Sequence, residues 1–170
     1  MAPLVVRAET GACGILLKVQ VTLAQIGSKA RTQDAYEGLV RDYLKRCVGV
    51  VRCGTEAFRS ETALFDWLGR QTGRTQAVLL LLDGRGRQMT SEALAEWLGA
   101  RRDEGTQHVI FAVGPADGWS DEAHAEAARR GGLLSLGPMT LAHQLARLVM
   151  AEQLYRACTI LTGHPYHTGH

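Results

Sequence analysis

The sequence has no long hydrophobic run. Its longest unbroken aliphatic stretch, residues 77–82, falls far short of the ~20 residues a membrane-spanning helix needs. No secretory-type apolar segment follows the first residues, so neither a membrane partner nor export is expected, and the location read from this is cytoplasmic. Net charge is nearly absent: 19 Lys and Arg stand against 17 Asp and Glu, a formal +2. That excludes nucleic-acid binding through bulk positive charge and leaves only a local patch. Lys is scarce, 3 residues against 16 Arg. Arg presents a planar fork that suits phosphate, although GC-rich coding gives the same bias. The four cysteines, Cys13, Cys47, Cys53 and Cys158, form no CxxC pair and have no His at zinc-ligand spacing. A structural metal is not expected, and the thiols read as free in a reducing compartment. There is no internal repeat and no low-complexity linker.

What is there is ordinary globular composition, 46% hydrophobic and 21% charged over 170 residues, enough for one domain with a real core. Residues 1–14 show no period and read as an extension; residues 15–170 read as the domain. From Leu17 the pattern alternates, with Val19, Val21 and Leu23 on one face and Gln20 and Thr22 on the other, which predicts a strand. Tyr36, Leu39, Val40, Tyr43 and Leu44 recur at helical spacing. Residues 48–52 read as a second strand, and Leu64, Trp67 and Leu68 mark a short helix ended by Gly69 or Gly73. Residues 77–82 and 108–113 are continuous apolar runs, the signature of strands buried on both faces. Between them a helix starts at Ser91. Ser120 caps another, with Asp121 and Glu122 in its first turn and Gly131 at its end. A short strand at 133–136 and a loop at 137–141 precede a long helix, 142–161, with Ala146, Met150, Leu154, Ala157 and Leu161 as its buried stripe.

Strands that alternate with helices predict an α/β fold: a mostly parallel sheet with helices on both faces. Ligands bind such sheets at the carboxyl ends of strands, here residues 83–87, 114–119 and 137–141. All three contain glycine, which lets backbone approach a ligand. Asp83-Gly84-Arg85-Gly86-Arg87 matches neither a dinucleotide fingerprint nor a phosphate loop; it is a plain turn or a ligand loop. His143 sits at a helix N-terminus, where the dipole lowers its proton affinity; it is a structural donor or a proton acceptor. Glu152 and Arg156 are spaced i,i+4 for a surface ion pair. The tail at 163–170, with His164-Pro165-Tyr166-His167, has no packing period.

Taken in order, Met139-Thr140-Leu141-Ala142-His143, then 151–157 (AEQLYRA), then His164-Pro165-Tyr166-His167, with Leu82-Asp83-Gly84 and Val113-Gly114-Pro115 upstream, resemble the RlmH-type ribosomal RNA methyltransferases of the SPOUT class. The resemblance implies a parallel sheet with a C-terminal trefoil knot, a feature otherwise essentially absent from proteins. It implies a homodimer whose active site joins loops of one subunit to the tail of the other. The implied activity is S-adenosylmethionine-dependent methylation of N3 of a pseudouridine in large-subunit rRNA of assembled ribosomes, with no DNA partner. By the same resemblance Leu82, Gly114, Gly137, Pro138, Met139, Thr140, Leu141 and Ala142 form the cofactor pocket, and His143, Arg156, Tyr166 and His167 face the RNA. His143 or His167 would take the N3 proton, Arg156 would stabilise charge on the carbonyl oxygens and Tyr166 would stack on the base. The chain departs from the family at Val113, in place of a second glycine, and in a shorter segment at 54–73. Two alternatives follow: a non-catalytic RNA- or ribosome-binding factor of the same fold, and a SPOUT methyltransferase acting on tRNA.

Overall fold

A computed structural model describes residues 19–28, 34–47 and 49–168, with 167 and 168 in backbone only. The expected extension, 1–14, and the onset of the first strand at Leu17 lie outside the described residues. Five strands, β1 (Gln20–Ile26), β2 (Arg52–Phe58), β3 (Val78–Gln88), β4 (His108–Val113) and β5 (Gly132–Ser135), form one sheet in the order β2-β1-β4-β3-β5. Every pairing is parallel, which answers the predicted α/β architecture. The helices α1 (Ala35–Arg46), α3 (Ser91–Asp103) and α5 (His143–Leu161) cover one face through Val40, Leu44, Leu94, Leu98, Met150 and Leu154. On the other face lie α2 (Glu61–Gly69) and α4 (Asp121–Arg130), through Leu64, Leu68, Ala123 and Ala127.

Local chemistry explains most boundaries. Asp34, Ser60, Thr90 and Ser120 each accept a hydrogen bond from a first-turn amide and so cap α1, α2, α3 and α4. All six residues of β4 are buried, as its unbroken apolar run requires. Other boundaries differ from expectation. The first strand alternates in sequence yet is buried throughout 21–26, because β2 and β4 flank it and helices cover both faces. The polar Thr22 is accommodated there by a 2.8 Å hydrogen bond to His108, whose proton affinity burial pushes down. The second strand begins where sequence reading ended it. Val50 and Val51 turn back onto the Cys47 carbonyl, and the ladder starts at Arg52 opposite Gln20; Val51 is buried without belonging to it.

β3 is longer than its apolar run. Leu82 and Arg87 both pair with Leu134, so residues 83–86 bulge out of a continuing strand instead of forming a plain turn. Gly86 makes this possible: a Cβ there would stand 2.6 Å from the Leu134 backbone. On α1 the buried face is Glu37, Val40 and Leu44, while Tyr36 and Leu39 are exposed. α1 turns an acid inward because a buried arginine of α5 meets it there.

Candidate active site

The carboxyl ends of β3, β4 and β5 open into a cleft of about 360 Å³. Its walls come from the three loops that glycine content had marked. Leu82, Gly114, Gly137, Pro138, Met139, Thr140 and Leu141 line it. Ala142 is not among the lining residues; it is the N-cap of α5, without a side-chain hydrogen bond. Ser135 holds the start of the third loop, accepting from the Gly137 amide and donating to the Gly137 carbonyl.

Trp119 organises the second loop. Its indole N–H donates to the Leu82 carbonyl at 3.0 Å, tying the loop after β4 to the end of β3. The ring lies so close to Gly114 that a Cβ there would come within 2.8 Å of it. Asp83 also lines the cleft. Its carboxylate accepts from the Arg85 amide and guanidinium, and His124 Nε2 stands 2.9 Å away. Chiefly through Arg85, its pKa is held well below the usual carboxylate range, against the opposing effect of burial.

His143 stands on the wall of the same cleft. Burial, then the nearby Arg147 charge, lowers its proton affinity, and a hydrogen bond to the Ile26 backbone opposes them. Its buried Nε2 has no partner within the protein. One turn on, Arg147 is 2% exposed. It donates to Glu37 at 2.9 Å and to Gln144 at 3.0 Å, an ion pair that fastens α1 to α5 behind His143.

Arg156 and Tyr166 are elsewhere. Thirteen residues separate Arg156 from His143 along α5, roughly 20 Å at the helical rise of ~1.5 Å per residue. There Glu152 accepts from Arg156 at 2.8 Å and from the Tyr166 hydroxyl at 3.4 Å, and Arg156 lies over the Tyr166 ring at 5.1 Å. The Glu152–Arg156 pair is partly buried, at 19% exposure each, instead of free on the surface. Burial foremost keeps the Tyr166 phenol protonated above its ordinary pKa. His167 lies in the backbone of a 3-10 turn, Pro165–Thr168; its side chain is outside the described residues. The four residues expected to face the substrate are thus divided between two ends of one helix.

Sequence reasoning missed Trp119 and Asp83 as cleft residues, although the loops that carry them were marked. It also missed Glu37 and Arg147, for which no local pattern exists: 110 residues separate them.

A family model described as "Predicted SPOUT methyltransferase" matches residues 19–167. The chain belongs to the SPOUT methyltransferase family. It is 50% identical over 138 residues to the ribosomal RNA large subunit methyltransferase H of Koribacter versatilis (strain Ellin345), covering 81% of this chain and 92% of that one. It is 44% identical over 117 residues to the protein of the same name from Brucella ovis, covering 69% and 68%. For the Rhizobium meliloti protein of that name the identity is 52% over 91 residues, covering 54% and 55%. Among solved structures it is similar to the SpoU methyltransferase AviRb from Streptomyces viridochromogenes in complex with AdoMet, at TM-score 0.47 and 12% identity over 82% of this chain and 57% of that one. At that score the likeness adds nothing to the family assignment.

Proposed function

We propose that the chain is an S-adenosylmethionine-dependent methyltransferase of large-subunit ribosomal RNA. It acts on N3 of a pseudouridine in assembled, cytoplasmic ribosomes, and it works as a homodimer. One observation carries this reading. The cleft holds a histidine with an unpartnered nitrogen, while Arg156 and Tyr166 stand roughly 20 Å off along the same helix at ~1.5 Å per residue. A single copy cannot bring both to one base; a second copy, offering its Arg156 end to the first copy's cleft, can. The names of the relatives supply the RNA class. The trefoil threading belongs to the same proposal.

The residues present fit S-adenosylmethionine. Strand-end backbone and the loop 137–141 line a cleft of about 360 Å³, within the range of small-molecule sites. The lack of a Cβ at Gly114 keeps Trp119 seated beneath it. Leu82, Gly114 and residues 137–141 would hold the group, which supplies a methyl activated by a sulfonium charge. The protein's own part is orientation, because in-line displacement needs reacting atoms held at near-contact distance. His143, its proton affinity lowered chiefly by burial, accepts the N3 proton directly or through a water. Arg156 of the second copy offsets charge growing on the carbonyl oxygens flanking N3, and Tyr166 stacks on the base.

Incubation of the purified protein with labelled S-adenosylmethionine and undermethylated ribosomes, with free rRNA and tRNA in parallel, tests this. Label mapped to a pseudouridine of the assembled ribosome is the expected result. Label on tRNA alone replaces the substrate. No label anywhere, with competent ribosomes, moves the chain to a binding factor.

A further inference from the structure

At the end of α1 and α5 remote from the cleft, three tyrosines stand in sequence. The Tyr43 and Tyr155 ring centroids are 6.0 Å apart, and those of Tyr155 and Tyr166 4.7 Å. The guanidinium of Arg46 lies 5.6 Å from the Tyr43 ring and 5.8 Å from the Tyr155 ring. Arg46 is exposed, and no carboxylate reaches it among the described residues. That sets it apart from arginines in the last turns of other helices. Arg101 and Arg102 pair with Glu104 and Asp103, and Arg129 and Arg130 share Glu126. Packing of α1 on α5 accounts for half-buried tyrosines; it does not account for an unpaired, exposed guanidinium laid over two of them.

We propose that Tyr43, Arg46 and Tyr155 extend the Arg156–Tyr166 site onto α1 as a platform that takes an unpaired RNA nucleotide beside the target base. The proposal rests on the rRNA-methyltransferase reading above. Single-stranded bases stack on aromatic rings and guanidinium planes, and a free arginine beside them answers the adjoining phosphate. The members of the cluster itself are ring faces and charge; the nearest exposed aliphatic side chain on α1, Leu39, stands one turn before Tyr43 at the edge of the platform. The small net charge of +2 is consistent with RNA being met by such local patches.

The variants Arg46→Ala, Arg46→Lys and Tyr43→Leu separate the alternatives; the last keeps apolar bulk against α5 and removes the ring. Three quantities are measured on the full chain: KM for undermethylated ribosomes, affinity for labelled large-subunit rRNA across a salt series, and affinity for S-adenosylmethionine. Tyr43→Leu should raise KM roughly ten- to hundredfold, the fold-change of one lost base stack, with cofactor affinity unchanged. Arg46→Ala should flatten the log–log salt slope of RNA binding by about 0.7, one single-strand phosphate contact, and Arg46→Lys should restore that slope. Unchanged KM and unchanged slope in variants of an active wild type overturn the platform alone. A wild type that binds rRNA without methylating it, and loses that binding in the variants, keeps the platform and removes the enzymatic reading. A wild type that neither binds rRNA nor methylates ribosomes overturns both.

Discussion

Replacing Glu37 by Leu tests the tie between α1 and α5. Glu37 and Arg147 are 6% and 2% exposed at the side chain and 2.9 Å apart. The variant leaves the Arg147 guanidinium buried, with the Gln144 amide oxygen as its remaining partner in the structure. Losing one member of a buried pair costs about 3–5 kcal/mol, because the survivor keeps its desolvation penalty without its attraction. The second bond to Glu37, from Arg41 at 3.0 Å, joins a half-exposed guanidinium and adds only a few tenths, about 0.3 kcal/mol. For a chain of this size 1 kcal/mol moves Tm by about 2–4 °C, so the expected fall is about 6–20 °C. The double variant Glu37→Leu/Arg147→Met replaces both charges by apolar groups and should recover most of the loss. Urea unfolding of wild type, both single variants and the double closes the cycle. The reasoning fails if Glu37→Leu costs no more than a surface substitution, or if the double variant is as unstable as the sum of the singles.

The same arginine sets a pH dependence. His143 is held below the ordinary imidazole pKa by burial first and by Arg147 second. The acidic limb of kcat/KM should therefore fall at a pH below ~6.5, and Arg147→Met should move it upward; a limb that stays put removes Arg147 from the account. Gly114→Ala places a methyl 2.8 Å from the Trp119 indole. It should displace the ring and its bond to Leu82, weakening cofactor binding about tenfold or more (~1–3 kcal/mol for an overpacked site) in a calorimetric titration; unchanged affinity would show that Trp119 does not shape the cleft. Asp83 has a depressed folded pKa, so its stabilisation is present above the unfolded carboxylate value of ~3.9 and is lost as pH falls toward the folded one. Asp83→Asn should flatten the acid side of stability against pH while changing little between the variant and wild type below that range.

Local chemistry was legible wherever it acts over a few residues. The cap residues Ser120 and Gly131, the buried runs that became β3 and β4, and the three glycine-containing strand ends were all readable in place, because capping and burial on both faces leave signatures inside a short window. The alternation β-α-β was enough for a parallel sheet with helices on both faces. β2 was misplaced because it is an edge strand whose 52–58 stretch, with Gly54, Glu56 and Ala57, carries no large apolar residue until Phe58; its membership is decided by the ladder with β1. The bulge at 83–86 depends on Leu134 pairing with both ends of it, some fifty residues downstream. Glu37 reads as an exposed acid on α1 until Arg147 is brought against it.

By itself, then, the sequence determined the order of elements, the burial of the central strands and the loops that would meet at one edge of the sheet. Tertiary structure alone decided that Trp119 locks the loop after β4 to the end of β3 and that a buried ion pair stands behind His143. These are distances between residues far apart in the chain. They follow from which helix packs on which face, and that choice belongs to the whole core.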